Sequence, residues 1–301
     1  MSTQLPFVKY QACGNDYIIV DERTGQVVPE GRRNDVAMAM MNRNFGIGAD
    51  GVAYIVASDR CDAMMRLIDS PGGEAYMCGN GIRCVAHYLW SVTGKDRLRV
   101  DTRSGVKEIE VSGGRPAQFR VNMGRLHWHA EDLEGILPEG FAPEESILDR
   151  QFDLPGLGTT QMSVVHIGEP HAILFVDDLD KTDIERYGEA ITTSQDVFPR
   201  LLNVNLVKPI ADDAIQLRTF EAGVQYETLA CGTGCVSSAA VARLTGRIAS
   251  RSVRVIARGG QLQVDLTNEG LYMSGPAQPV FTGSTNVTLH DDKVSLSTPC
   301  L

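Results

Sequence analysis

Two cysteines in this 301-residue chain stand where a thiol is chemically useful. Cys78 opens the run Cys78-Gly79-Asn80-Gly81 and Cys231 opens Cys231-Gly232-Thr233-Gly234, so each thiol directly precedes a Gly-x-Gly turn. Apolar residues then recur at three- and four-residue spacing: Ile82, Val85, Ala86, Leu89 and Trp90 after the first turn, Val236, Ala239, Ala240 and Leu244 after the second. That period predicts a helix behind each cysteine, the first over 82–92. At a helix N-terminus the unpaired backbone N–H groups and the helix dipole favour a thiolate, and glycines let backbone amides approach a bound anion. Two such corners predict two thiols acting on one small anionic substrate. Acid/base groups on opposite faces of one carbon are what racemisation requires: one thiolate removes the Cα proton and the other thiol delivers a proton to the opposite face. With no cofactor signature in the chain, none is expected. Charge building near Cα would then rest on the amides at the helix ends, in a dry pocket.

The flanking elements occur twice. Residues 5–21 read as two strands joined by Gly14-Asn15-Asp16, and 33–44 as a helix. A glycine-rich turn follows at 45–51, then strands at 52–57 and 62–69 and a turn Ser70-Pro71-Gly72-Gly73. Strands at 97–102 and 106–111 follow the first cysteine helix. Residues 163–177 match 8–21 in outline: strand, glycine turn, apolar strand, Asp. Gly14 stands 64 residues before Cys78, and Gly168 stands 63 before Cys231. Thr93-Gly94-Lys95 and Thr245-Gly246-Arg247 follow the two helices, each succeeded by a strand, a glycine and another strand. This predicts two homologous α/β halves. Between them 124–160 reads as a connector with little periodicity, and the tail from 290 to 301 as polar and peripheral, its Cys300 incidental.

The composition, 43% hydrophobic and 22% charged, is that of a globular protein. A net charge of −10 without a basic run argues against nucleic acid or an anionic membrane as partner. Met1 to Tyr10 lack the features of a signal peptide and no apolar run reaches membrane-spanning length, so a cytoplasmic protein is expected. Seven cysteines at 13, 61, 78, 84, 231, 235 and 300 do not form a disulfide framework. Cys84 and Cys235 fall on apolar helical stretches, where a thiol is a small core residue. For zinc-type pairing the gap from Cys231 to Cys235 is short enough and that from Cys78 to Cys84 too long, and with Cys84 and Cys235 on apolar stretches no metal site is expected.

The chain resembles the diaminopimelate epimerase family of cofactor-independent, two-cysteine amino-acid racemases and epimerases. The resemblance runs through Gly14-Asn15-Asp16, Phe45 to Gly51, Met77 to Cys84, Pro170-His171, Glu227 to Gly234 and Gly275-Pro276-Ala277. It implies an α/β (α+β) fold of two pseudo-symmetric halves, each a barrel-like wrap of strands around a central helix, with the active site between them. One half would be 1–123, completed by a returning strand at about 277–290, the other 124–276, with 291–301 a polar tail. The resemblance also implies Cys78 and Cys231 as the acid/base pair with His171 and Glu221 beside them. Asn15, Gly79, Asn80, Gly232 and Thr233 would hold the α-amino and α-carboxylate groups. A homodimer is possible.

Departures from the pattern bear on the substrate. Where the family grips the distal end of diaminopimelate with asparagines and an arginine, this chain has Asp69, Glu169 and Ala222, and retains Asn203. Without the arginine a distal carboxylate loses its charge-assisted partner, and like charges in one pocket cost several kcal/mol as an order of magnitude. The expected activity is therefore a racemase of a basic amino acid, such as histidine, lysine, ornithine or arginine. The alternative within enzymes is conversion of LL- to meso-diaminopimelate, with Arg218 or Arg66 supplying the cation. Outside enzymes it is a non-catalytic amino-acid-binding protein.

Overall fold

The computed structural model describes residues 2–69, 72–291 and 293–297, so Cys300 and the Ser70-Pro71 part of the predicted turn lie outside the described residues. The chain forms two compact units, 1–121 with 275–301, and 122–274.

The first unit contains β1 (Ser2–Ala12), β2 (Asn15–Asp21), α1 (Arg33–Met41), β3 (Gly51–Val56), β4 (Ala63–Asp69), α2 (Gly79–Thr93), β5 (Arg97–Asp101), β6 (Lys107–Ser112) and the start of β7 (Gln118–Gly124). The second contains β8 (Arg150–Leu154), β9 (Gly158–His166), β10 (Pro170–Phe175), α3 (Ile184–Thr193), β11 (Asn203–Ala211), β12 (Ala214–Glu221), β13 (Tyr226–Thr228), α4 (Gly232–Leu244), β14 (Ser252–Ala257), β15 (Gly260–Leu266) and the start of β16 (Leu271–Pro276). The chain then adds β17 (Gln278–Leu289) and β18 (Val294–Ser297) to the first unit, β17 antiparallel to β1 and β18 antiparallel to β17.

Strand pairing follows one plan in both units. From β1 to β7 the pairs run antiparallel, parallel, antiparallel, parallel, antiparallel, antiparallel. The series β9, β10, β11, β12, β14, β15, β16 repeats that order. Every parallel pair needs a crossover, and each of these crossovers carries one α-helix. The second helix of each unit is central: α2 touches β1, β2, β3, β4, β5 and β17, and α4 touches β9, β10, β11, β12, β14 and β15.

Strands between two helices are buried on both faces, so they read as continuous apolar runs. In β2, Ile18 and Val20 join a cluster with Val36, Ala37 and Met40 of α1, leaving Tyr17 and Ile19 for the α2 side by strand alternation. In β10 and β11, Ala172, Leu174, Val204 and Leu206 join a cluster with Ile184 and Ile191 of α3, leaving His171, Asn203 and Asn205 for α4. A polar residue in such a run faces the central helix without disturbing the outer core.

The structure corrects two sequence readings. Within 124–160 lie β8 and the start of β9, and Leu133, Ile136, Leu137, Ile147, Phe152 and Leu154 are core residues of the second unit. Their spacing is irregular because most of them ride on turns. The tail beyond 290 is not wholly peripheral: β18 pairs with β17, and Val294 and Leu296 pack on the first unit's core.

Candidate active site

Both helices begin one residue after the cysteine, so Cys78 and Cys231 are N-caps with extended backbone, at φ −134° and −110°. The α2 helix thus starts three residues earlier than its apolar period shows, because its first turn is Gly79, Asn80 and Gly81. Each sulfur accepts a hydrogen bond from the third residue of its helix, Gly81 N–H at 3.5 Å and Gly234 N–H at 3.4 Å. Cysteine here takes the place that a serine or aspartate side chain fills in an ordinary capped helix.

Around Cys78 the hydrogen-bonding groups include a phenol and a backbone amide. The Tyr17 hydroxyl lies 3.0 Å from Sγ, and burial, then the nearby Cys78 charge, pushes the phenol pKa well up. Asn80, two residues past the thiol, donates to Asn15 Oδ1 at 3.1 Å. The fully buried Arg83 donates to Asn80 Oδ1 at 2.8 Å and to the Gly79 carbonyl at 3.1 Å, tying the first turn of α2 together. Asp69 ends β4, in register with Gly51.

Around Cys231 carboxylates and an imidazole lie close, while the sulfur itself is hydrogen-bonded by Thr233 and the Gly234 amide. Thr233 Oγ1 lies 3.3 Å from Sγ and 3.5 Å from Glu169 Oε2. Asn203 donates to Glu169 Oε2 at 3.2 Å and accepts from Ala222 N–H at 3.0 Å. Glu221, at the end of β12, accepts from Thr228 Oγ1 at 2.6 Å. Burial raises the Cys231 thiol well above its usual pKa, and the charges of Glu221 and Glu169 add to the effect. Burial also raises the Glu169 carboxyl, against the hydrogen bonds of Asn203 and Thr233 and the charge of Arg200.

His171 is fully buried, and burial, with a smaller effect from His166, lowers its pKa to about 3, so the ring is neutral. Asn205 Nδ2 lies 3.1 Å from His171 Nδ1, while Asn205 Oδ1 accepts from Thr219 Oγ1 at 2.9 Å. An amide nitrogen can only donate, so Nδ1 accepts and the ring proton sits on Nε2. Nε2 has no hydrogen-bond partner among the described residues.

Glu169, His171 and Cys231 bring their ligand atoms within 4.8 Å of one another. The trio has the donor types of a zinc site. Ligation through Nε2 would need the proton on Nδ1, facing the Asn205 amide nitrogen, and the hydrogen bond to the Ala172 carbonyl, which can only accept, opposes that amide's reversal. The cluster fits a protonated Nε2 better than a metal.

Asn15, Gly79, Asn80, Cys78 and Asp69 thus belong to the first unit, and Gly232, Thr233, Cys231, His171, Glu221, Asn203 and Glu169 to the second. Cys84 and Cys235 are fully buried. Neither cation considered for a distal carboxylate is free: Arg218 is bound to Glu227 and the Leu179 and Thr182 carbonyls, Arg66 to Glu74 and Glu30. Sequence reasoning missed Tyr17, Arg83, Asn205 and Thr219. The signal available was a polar residue on the inward phase of an apolar strand or helix.

A profile of the diaminopimelate epimerase family matches residues 7–129 and 163–280. Diaminopimelate epimerase of Methanothrix thermoacetophila is 39% identical over 282 residues, 93% of this chain and 95% of that one. The enzyme of the same name from Archaeoglobus fulgidus is 37% identical over 93% of this chain and 96% of its own. Among solved structures, a hydroxyproline epimerase from Agrobacterium vitis aligns with TM-score 0.66 at 14% identity, covering 94% of this chain and 93% of its own. A phenazine biosynthesis protein of the PhzF family from Bacillus anthracis aligns with TM-score 0.65 at 18% identity, covering 95% and 99%. These last two share the fold.

Proposed function

The chain belongs to the diaminopimelate epimerase family and is an isomerase, and from that premise we propose that it inverts one Cα of diaminopimelate with Cys78 and Cys231 as the acid/base pair. The observation that carries this reading is that both cysteines cap a central helix and accept a hydrogen bond from its third amide. Cys78, beside a phenol and an amide, enters as the thiolate that removes a proton. Cys231, beside two carboxylates, enters as the thiol that returns one. After turnover the protonation states are exchanged; proton exchange with solvent once product leaves, or reaction in the opposite direction, restores them. The neutral His171 offers its Nε2–H to charge that develops at Cys231. No step in this scheme calls on a cofactor.

Diaminopimelate is favoured by the names of the relatives and by Arg200, whose charge acts on Glu169 and is available in place of the arginine that Ala222 replaces. Arg200→Ala is expected to raise KM for diaminopimelate about tenfold with a smaller change in kcat, the signature of lost ground-state binding. A second reading, racemisation of a basic amino acid, is favoured by Glu169, an acid where the family has an amide.

Solvent deuterium incorporation at Cα separates them. Reduced protein in heavy water is incubated with single stereoisomers of diaminopimelate, histidine, lysine, ornithine and arginine and followed by NMR. Exchange with diaminopimelate, lost at least a hundredfold in Cys78→Ala and in Cys231→Ala, supports the first reading. Exchange confined to a basic amino acid moves the assignment to the second. Binding without exchange across the panel would identify a binding protein.

A further inference from the structure

We propose that Tyr17 is a catalytic residue that donates its phenolic proton in a hydrogen bond to the Cys78 thiolate and so sets the acidity of that thiol. The inference rests on Cys78 being a reacting thiol, and it adds a residue to the site that no resemblance assigns.

Three observations support it. The hydroxyl lies 3.0 Å from Cys78 Sγ, its only partner among the described residues, and Tyr17 is 3% exposed. A phenylalanine would fill the same core volume, so packing alone does not call for the hydroxyl. The ring is also closely held on the side of the neighbouring strand: a Cβ at Gly51 would meet Tyr17 Cδ1 at 3.1 Å and Cε1 at 3.2 Å. Gly51 pairs with Tyr17 in the β2–β3 register, so the strand opposite leaves the ring its room. Finally, burial and the Cys78 charge keep the phenol protonated. When Cys78 is a thiolate the shared proton therefore belongs to the oxygen, and the bond is charge-assisted.

The charged and titratable groups around this corner are Arg83 and Cys84 of α2, Cys13 after β1, Asp16 of β2, Asp50 before β3 and Asp69 of β4. Asp16 and Asp50 are bound to Arg43, and Asp16 also to Lys9. Arg83 is directed onto Asn80 and Gly79. The hydroxyl of Tyr17 and the amide of Gly81 are donors that reach the sulfur.

The test is the pH profile of Cys78 alkylation by iodoacetamide, read by peptide mass spectrometry in the full-length protein without substrate. Tyr17→Phe is expected to slow Cys78 alkylation about tenfold at pH 7 and move its half-point up about one pH unit, the effect of one charge-assisted bond. Cys231 in the same digests is expected to keep its profile. An unchanged Cys78 profile overturns the proposal. Should Tyr17→Phe fail to fold, 3-fluorotyrosine at position 17, a stronger donor of nearly the same shape, is expected to move the half-point down, and no movement overturns the proposal. Alkylation does not depend on turnover. A Cys78→Ala protein that still exchanges Cα protons would sink the two-thiol reaction while leaving the Tyr17 result intact.

Discussion

The corners around Cys78 and Cys231 are built on one plan with different chemistry. In each, a glycine with positive φ, Gly14 at 86° or Gly168 at 81°, ends a turn. The residue after it, Asn15 or Glu169, is hydrogen-bonded by the side chain two past the cysteine, Asn80 or Thr233. The third residue after it, Tyr17 or His171, faces the thiol from the inward phase of the strand. The first corner therefore holds an amide and a phenol where the second holds a carboxylate and an imidazole. The repeated plan supplies the geometry twice, and different residues at two positions give the thiols different surroundings. At Cys78 a phenol stands beside the thiol. Buried carboxylates favour a thiol at Cys231.

The largest expected difference between the corners comes from the floor beneath each helix. A Cβ at Gly234 would lie 2.4 Å from Asn205 Oδ1, the atom that Thr219 holds. Gly234→Ala must therefore push Asn205 away from His171 and release the imidazole tautomer. Activity is expected to fall 10- to 100-fold, the usual cost of losing a partner that orients a functional histidine. Asn205→Leu is expected to fall as far, and the double variant no further, since both act through His171. Multiplying losses in the double variant would show that Gly234 and Asn205 act separately.

A smaller contrast lies in the pH dependence of stability. His171 titrates at about 3 in the folded protein and near 6.5 when unfolded. Between those values the unfolded chain binds the extra proton. Stability contributed by the neutral ring is thus fully present above pH 6.5 and lost as pH falls, by about 1.4 kcal/mol per unit. From pH 7 to 4.5 wild type is expected to lose about 2 to 3 kcal/mol more than His171→Gln in urea denaturation. Equal losses would mean that the ring is hydrated or paired in solution. Tyr17 has the opposite sense: its raised pKa leaves it neutral throughout that range, with stability lost only as pH rises past 10. Tyr17→Phe is therefore expected to follow wild type in acid.

Much of this plan was legible in the chain. The cysteines, their glycines and the helical period behind them declare the caps, and the recurring turn signals declare two similar series of elements. The side chains that make the corners unequal were harder to see. Tyr17 and Asn205 lie inside apolar strand runs, where only the phase of the strand tells an inward polar residue from a core one. That phase is set by α1 and α3, and α3 has too few apolar residues in Ile184–Thr193 to stand out. Phe152 and Leu154 were hidden because their strand is five residues long and follows a stretch of turns.

The smallest expected effect is at Gly81, the counterpart of Gly234. A Cβ there would meet Leu67 Cδ2 at 3.4 Å and the Cys78 Cβ and Tyr17 Cε1 at 3.5 Å, all ordinary contacts. Nothing in the corner has to move. Alanine also loses less backbone entropy than glycine on entering a helix, by up to about 1 kcal/mol. Gly81→Ala is thus expected to leave turnover within about threefold and to raise the melting temperature slightly, by a few degrees for a change of this size. The motif Cys-Gly-x-Gly looks the same at both places, yet a Cβ has room at the second glycine of one and none at that of the other. The difference is Asn205, because β11 presents an amide where β3 presents Ala53 on the same inward phase. If Gly81→Ala proved as damaging as Gly234→Ala, the second glycine would be serving the bound substrate in both corners, and the asymmetry would rest on Tyr17 and His171 alone.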